Sequence, residues 1–135
     1  MGATALKAIE ANFEEPPLCA ETIRRLTDAG IAFMAELTTP LGCENVHFGP
    51  EDLNRLLEDK TGFAAGYFGV TRQQYLDWIA TGGNPRCSSE TRSGKPCRKP
   101  AGGRYQIGID EWLASDGGLC RSHETRVLNR IRKSR

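Results

Sequence analysis

The sequence predicts a mainly α-helical protein, a helical bundle followed by a small C-terminal module made of a short hairpin and helices. Apolar residues recur at helical spacing through most of the first 80 positions. Three cysteines and a histidine are gathered within residues 87–123. With 39% hydrophobic residues in a chain of 135, one modest core is expected. We therefore predict a helical domain over residues 1–83 and a zinc-binding module with a basic C-terminal helix over residues 84–135.

The first part of the chain contains two predicted helices. Apolar residues at helical spacing indicate one helix over residues 3–13, which the following Pro16 and Pro17 end. A longer apolar stripe predicts a second helix over residues 20–37. The break at residues 38–42 and a short connection at 43–48 then lead to the next helix.

Residues 50–80 resemble a helix-turn-helix. Pro50 suits the first position of a helix, and Gly69 suits a tight turn between two helices. Thr71 and Gln74 stand three residues apart, the spacing of a capping box at the start of the second helix. Two packed helices with a glycine turn also occur widely as plain structural units.

A DNA-binding version of this motif would use Arg72 and Gln73 to contact bases. Both residues lie near the start of the predicted recognition helix, and Arg reads guanine while Gln reads adenine in the major groove. Asp77 on the same exposed face, and the acidic residues around it, favour the structural interpretation because duplex binding uses Lys and Arg on phosphates.

The C-terminal part alternates short elements with turns. Residues 88–96 are polar, with Gly94 near their end, and predict a turn that brings two cysteines together. Alternating apolar residues predict a strand over 105–109, and Asp110 is a candidate cap for a short helix that Gly117 ends. A last helix is expected to begin just after Cys120.

The strongest signal is the set Cys87, Cys97, Cys120 and His123. The gaps between them are nine, twenty-two and two residues. Thiolate and imidazole match Zn²⁺, and four protein ligands close a tetrahedral site without leaving a position for a substrate, so the predicted role is structural. The nine-residue gap is wider than the usual two to four, and unconnected core cysteines are the alternative.

A second metal half-site is conceivable at Cys43 and His47. Their spacing of four would place both on one face of a helix. A buried cysteine beside an ordinary surface histidine is the simpler interpretation.

The segment Cys-Ser-Ser-Glu-Thr-Arg-Ser-Gly-Lys-Pro-Cys-Arg, followed later by Cys-Arg-Ser-His, resembles a small zinc-binding module of bacteriophage, prophage and mobile-element proteins. The shared pattern is Cys…Thr-x-x-Gly-x-Pro-Cys-Arg…Cys-x-x-His, and it covers residues 86–123. The resemblance implies that the same three cysteines and histidine are the metal ligands. A glycine commonly follows the histidine in that pattern, whereas this chain has Glu124 and continues as a basic helix.

Charge is distributed unevenly. Residues 1–83 hold 6 Lys/Arg and 12 Asp/Glu, whereas residues 84–135 hold 12 and 5. The basic half is expected to meet phosphate or an acidic partner, although the two halves could simply neutralise each other. The C-terminal helix has three interpretations: a phosphate-binding face, a helix that docks in an acidic protein groove, or a solvated tail. The candidate contact residues of this half are Lys95, Arg98, Lys99, Arg121, Arg126, Arg130, Arg132 and Lys133.

These observations favour a non-enzymatic binding protein of phage or mobile-element type that contacts nucleic acid through its basic half. The chain has two histidines and none of the serine-elbow, phosphate-loop or paired-histidine motifs of common enzymes. The alternative is a protein-binding inhibitor of a host defence complex, such as an anti-CRISPR protein. We expect one structural Zn²⁺, no small-molecule substrate and no membrane association. With neither a signal peptide nor a long apolar run, a cytoplasmic location is expected.

Overall fold

The computed structural model describes residues 18–135, which contain six α-helices and one antiparallel hairpin. The predicted helix over residues 3–13 lies outside the described residues. Helices dominate, as the sequence predicted, and none of those within 18–135 is long and apolar enough to cross a bilayer. The elements in chain order are α1 (Ala20–Asp28), β1 (Phe33–Thr39), β2 (Gly42–Phe48), α2 (Leu53–Glu58), α3 (Lys60–Phe68), α4 (Arg72–Ala80), α5 (Ile109–Ser115) and α6 (Arg121–Lys133).

The predicted helix over 20–37 is wrong beyond α1, and the predicted connection at 43–48 is a strand. α1 ends because Gly30 has a left-handed backbone (φ 82°) and the Ile31 N–H returns to the Leu26 carbonyl at 3.1 Å. The chain then forms β1, which pairs with β2 so that Phe33 lies opposite Phe48.

Alternation explains why these residues form a hairpin. Leu37 on β1 and Val46 on β2 face the core and are 0% and 5% exposed, while their neighbours along each strand are exposed. The apolar residues of positions 20–37 fit a helix as well as a strand. Gly30, which ends α1, and Gly42, at the hairpin turn, decide in favour of the strand. Burial against the rest of the core then stabilises the sheet.

The helix-turn-helix-like pair has the predicted glycine turn and capping box. Gly69 takes the left-handed conformation (φ 70°), and its N–H bonds the last carbonyls of α3. Ala64 and Ala65 are each 2% exposed, which allows close approach to the neighbouring elements. The capping box of Thr71 and Gln74 is present in both directions.

One buried cluster joins the hairpin, the α3–α4 pair and α5. The Tyr75 hydroxyl donates to the Thr38 carbonyl at 2.7 Å, and Trp78 Nε1 donates to the Ile107 carbonyl at 3.0 Å. Side chains on both sides of position 83 therefore share this core. The cluster consists of Leu37, Val46, Phe63, Ala64, Ala65, Tyr75, Trp78, Ile109 and Trp112. The proposed boundary between residues 83 and 84 remains a prediction about folding units.

The predicted strand over 105–109 is wrong. The Gln106 backbone has φ 51°, and its N–H donates to the Asn84 side chain at 2.9 Å. The Ile107 N–H bonds the Gly83 carbonyl at 3.0 Å, so this segment packs onto the turn after α4 rather than onto a strand. α5 starts after Gly108 without a side-chain cap, so Asp110 is not the cap.

The hairpin expected in the C-terminal module is reduced to isolated bridges. Within residues 84–135 the extended pairings are Arg86 with Pro100 and Glu90 with Pro96. Prolines at two of these four positions remove backbone N–H donors, so neither pairing extends into a ladder.

Candidate metal centre and basic surface

Short backbone pairings hold the first cysteine of the predicted metal set against the segment that leads into α6. The Arg86 N–H donates to the Asp116 carboxylate at 2.7 Å, and the Gly117 N–H donates to the Arg86 carbonyl at 2.8 Å. One residue beyond that cysteine, the Ser88 N–H bonds the Gly118 carbonyl at 2.8 Å. Cys87 is therefore clamped on both sides.

A tight turn returns the chain to the second cysteine. The Thr91 N–H bonds the Lys95 carbonyl at 2.7 Å, Gly94 takes φ 78°, and the Cys97 N–H bonds the Ser89 carbonyl at 2.9 Å. This confirms the predicted turn between Cys87 and Cys97.

The last two members of the set lie at the start of α6. Cys120 is the N-cap residue and His123 lies in the first turn, so their spacing of three places them on one side of the helix. The Gly102 N–H bonds the Leu119 carbonyl at 2.8 Å and fixes the approach to the helix. Cys120 occupies the N-cap position, and its side chain makes no capping hydrogen bond.

The structure brings all four predicted side chains together, with their ligand atoms within 4.8 Å of one another. Cys97 Sγ lies 3.9 Å from Cys120 Sγ, and His123 Nδ1 lies 3.2 Å from Cys120 Sγ and 3.5 Å from Cys87 Sγ. A tetrahedral site with metal–sulfur bonds of about 2.3 Å requires about 3.8 Å between sulfurs and about 3.5 Å between sulfur and nitrogen. The arrangement is compatible with a single structural metal ion.

Hydrogen bonding outweighs burial in setting the state of the Cys120 thiol, which favours its metal-binding thiolate form. Cys87, Cys120 and His123 are 7%, 1% and 9% exposed. The Cys120 N–H donates to Cys87 Sγ at 3.3 Å, which holds these two cysteines together. Burial raises the pKa of the Cys120 thiol, but hydrogen bonds from the backbone and ring of His123 and from the other two thiols bring that pKa down to about 7.

Cys97 has the opposite balance. A hydrogen bond from the Lys99 backbone lowers its thiol pKa, while burial and hydrogen bonding with Cys120 and Cys87 raise it, and the pKa ends above the ordinary value. Cys97 is also more accessible than Cys87 or Cys120. A metal ion at this position would replace the thiol protons, because only thiolates act as ligands.

A group of charged residues around Arg86, which no sequence motif indicated, supports the candidate metal centre. The Arg86 guanidinium lies 2.7 Å from Asp116, 3.6 Å from Asp77 and 5.5 Å above the Trp112 ring centre. Hydrogen bonding from the Arg86 side chain, the largest effect, holds the pKa of Asp116 below its usual value. The one sign in the sequence that Arg86 supports the site is its position next to Cys87. Its partners Asp116 and Asp77 are distant in the sequence, and only the fold brings them to Arg86.

Cys43 and His47 do not form a half-site of the predicted kind. Both lie on β2, where a spacing of four separates residues by about 13 Å. Among residues 18–135 the one group with metal-ligating geometry is the set at the start of α6.

The proposed base-reading residues of the helix-turn-helix-like pair are engaged within the chain. Arg72 Nη1 lies 2.6 Å from both carboxylate oxygens of Asp59, and Gln73 donates to Asp77 at 2.8 Å. Hydrogen bonds from the Gly62 backbone and then from Arg72 lower the pKa of Asp59. The Arg72–Asp59 pair ties α4 to the start of α3, whereas the Gln73–Asp77 hydrogen bond lies within α4.

α6 presents a continuous basic face, defined by Arg126, Arg130 and Lys133. These three line a shallow groove along the helix with Ser122, Thr125 and Asn129. None of the ion pairs within residues 18–135 involves the three cations.

The remaining predicted basic residues lie near the N-terminal end of this helix, with one exception. Lys99 Nζ donates to the Ser122 hydroxyl at 3.3 Å, which joins the cysteine loop to the basic face. Lys95 and Arg98 line a cavity beside Cys97 in the same loop. Arg121 reaches back to the Gly102 carbonyl at 3.4 Å. Arg132 is the exception, because it lies in the last turn of α6. Helical spacing also places it outside the basic face, in line with Leu128.

No family model, curated protein or solved structure matches this chain. The resemblance to phage and mobile-element zinc modules therefore depends on the pattern in residues 86–123 alone.

Proposed function

We propose that this chain is a non-enzymatic, zinc-stabilised binding protein that contacts nucleic acid through the basic face of α6. The observation that carries the proposal is this face itself. Three cations stand on one side of an exposed helix without acidic partners among the described residues, and Lys99 extends the surface at its N-terminal end. Regularly spaced, solvated cations are the groups that displace counterions from a phosphate backbone.

The zinc assignment follows from the donor set. Three thiolates and one imidazole in a closed, buried arrangement are typical of structural zinc, whereas calcium and magnesium take oxygen ligands. Cys87, Cys97, Cys120 and His123 would hold the ion, which supplies cross-linking of the loop to α6. His123 is the one buried residue of α6, so this cross-link sets the direction in which the basic face points.

The length of α6 suits contact with the phosphate backbone of a nucleic acid. Its 13 residues span about 20 Å, and Arg126 to Lys133 cover about 10 Å of that length. The proposed interface excludes Arg72 and Gln73, because Asp59 and Asp77 already bind them. Binding through α6 alone is expected to depend weakly on sequence, since phosphate contacts position a protein without reading bases.

Nucleic-acid affinity as a function of salt tests the proposal. We expect DNA or RNA binding that weakens steeply with salt, and a variant with Arg126, Arg130 and Lys133 replaced by Ala should lower the slope of log K against log salt by about 3 on duplex DNA. The matched control replaces Arg24, Arg25 and Lys60 by Ala, which removes the same charge elsewhere. Absence of binding at low salt, or equal losses in both variants, would contradict the proposal.

A second candidate is inhibition of a host protein complex through the acidic surface of residues 18–83. This region holds 5 Lys/Arg and 9 Asp/Glu. Arg24 and Arg72 form ion pairs with carboxylates of the same region, which leaves its excess of acidic residues unchanged. Such a surface can mimic a phosphate backbone. Recovery of a stoichiometric host protein that is lost when Glu36, Glu51 and Glu58 are replaced by Gln would favour this candidate.

A further inference from the structure

α6 has a second surface that its basic face does not use. Val127, Leu128 and Ile131 form an aliphatic stripe and are 43%, 50% and 50% exposed. Helical periodicity places this stripe on the side of the helix away from the basic face. Every residue of α6 from Glu124 onward is exposed, so the protein body leaves the stripe accessible.

Charges at the two ends of the stripe are opposite in sign. Glu124, the only acidic residue of α6, lies one turn before Leu128, and Arg132 lies one turn after it. The sequence of charges along this side of the helix is therefore acid, aliphatic, base. Such a pattern is complementary to itself when two helices run in opposite directions.

We propose that two copies of this chain pair through α6, antiparallel, around a two-fold axis near Leu128. In that arrangement Leu128 meets its own equivalent, and Glu124 of each copy stands beside Arg132 of the other. The interface is isologous, as in most homodimers. A parallel arrangement would instead place Glu124 beside Glu124 and Arg132 beside Arg132.

The antiparallel arrangement also separates the basic faces. These faces point outward, on opposite sides of two helices that are each about 10 Å across. A separation of about 20 Å exceeds the Debye length of about 8 Å at physiological salt, so their mutual repulsion is largely screened. Contact with phosphate would not bury the apolar surface of the stripe. An apolar protein surface would bury it, and we therefore infer a protein partner.

The size of the stripe sets the strength of the pairing. Three aliphatic residues per copy bury far less than the roughly 1,600 Å² of a standard stable interface, so the dimer should be weak and concentration-dependent. Two copies on one nucleic acid would pair more tightly through effective concentration. The pairing itself does not depend on the proposed nucleic-acid function.

Sedimentation equilibrium of the zinc-loaded protein, from about 10 μM to about 1 mM, tests the pairing. We expect a monomer–dimer equilibrium in which Leu128→Asp with Ile131→Asp raises the dissociation constant at least about tenfold. The control is Leu41→Asp with Leu57→Asp, which changes two residues that are 72% and 62% exposed elsewhere. Circular dichroism and zinc content report whether each variant keeps its fold.

A charge exchange distinguishes antiparallel pairing from other self-association. Glu124→Arg alone and Arg132→Glu alone should each weaken their own homodimers, because like charges then meet at both ends. An equimolar mixture of the two variants should restore dimer formation. A monomer at every concentration, or a mixture no better than either variant, would overturn the proposal.

Salt separates this proposal from the nucleic-acid proposal. Raising salt should abolish binding to nucleic acid while changing the dimer little, because burial of the aliphatic stripe persists. A dimer without nucleic-acid binding supports the pairing and contradicts the proposed function. Nucleic-acid binding by a protein that is monomeric at every concentration supports the proposed function and contradicts the pairing.

Discussion

The two tryptophans, Trp78 and Trp112, are both in the core but differ in whether the indole N–H has a hydrogen-bond partner. Both are nearly buried, at 5% and 2% exposure. Trp78 Nε1 donates to the Ile107 carbonyl, whereas Trp112 Nε1 is buried without a hydrogen-bond partner among the described residues. An unpaired buried donor costs free energy, and the Arg86 guanidinium above the Trp112 ring offers Nε1 no acceptor.

Replacing each tryptophan by Phe should therefore give unequal losses. Trp78→Phe leaves the Ile107 carbonyl unpaired, while Trp112→Phe removes a donor that already lacks a partner. We expect Trp78→Phe to lower the free energy of unfolding by about 1 kcal/mol more than Trp112→Phe, measured by urea denaturation. Equal losses would show that Trp112 Nε1 has a partner in solution.

Asp116 is a single residue whose contribution to the free energy of unfolding depends on pH. Its folded pKa is lowered, chiefly by the Arg86 side chain, so the stabilisation is complete above the unfolded pKa of about 4 and is lost as the pH falls through the folded pKa. Asp116→Asn should cost about 1–3 kcal/mol at pH 7 and progressively less below about pH 4. The measured quantity is the difference between the two proteins, because acid releases metal from both.

Asp28→Asn is the control for this pH dependence. Asp28 also pairs with an arginine, but its side chain is 63% exposed. Exposed pairs contribute little, so the unfolding free energy should hardly change at either pH. A pH-independent loss in Asp116→Asn would contradict the assignment.

At the scale of elements, we expect α6 to depend on the candidate metal centre. The helix has 13 residues and one buried side chain, and isolated helices of this length are marginal in water. Under the proposed function, zinc would cross-link Cys120 and His123 to the cysteine loop and would be the main interaction that holds α6 to the body.

Purified protein should contain about one zinc per chain, and chelation should remove helical ellipticity equivalent to α6, with recovery on adding Zn²⁺. Cys97→Ser and Cys120→Ser should lose the metal by elemental analysis. Cys43→Ser is the matched control, because Cys43 lies on β2 and should leave zinc content unchanged. A metal-free protein with an intact α6 would end the zinc assignment.

Elements also show where sequence reasoning failed. The α3–α4 pair was predictable because Gly69 and the capping box of Thr71 with Gln74 are local signals. The hairpin was not, because the apolar residues of positions 20–37 fit helical spacing until Gly30 ends α1. The segment at 105–109 alternates like a strand, but it lacks a neighbouring strand and hydrogen-bonds to Gly83 and Asn84 instead.

For the whole molecule, the shared core argues for cooperative unfolding. Ile109 and Trp112 belong to the same buried cluster as Leu37 and Tyr75. We expect the zinc-loaded protein to show one transition in calorimetry, with calorimetric and van't Hoff enthalpies in agreement. Two separated transitions would support independent domains over residues 1–83 and 84–135.

The sequence by itself determined the metal-ligand set, the helix-turn-helix-like pair and the uneven charge, because ligand chemistry, glycine turns, caps and charge are properties of neighbouring residues. Only the tertiary structure decided which cations remain available. Arg72 pairs with Asp59 at the start of another helix, whereas Arg126, Arg130 and Lys133 have no acidic partner among residues 18–135. The physical reason is that an ion pair between two helices depends on the distance between them, which the fold sets.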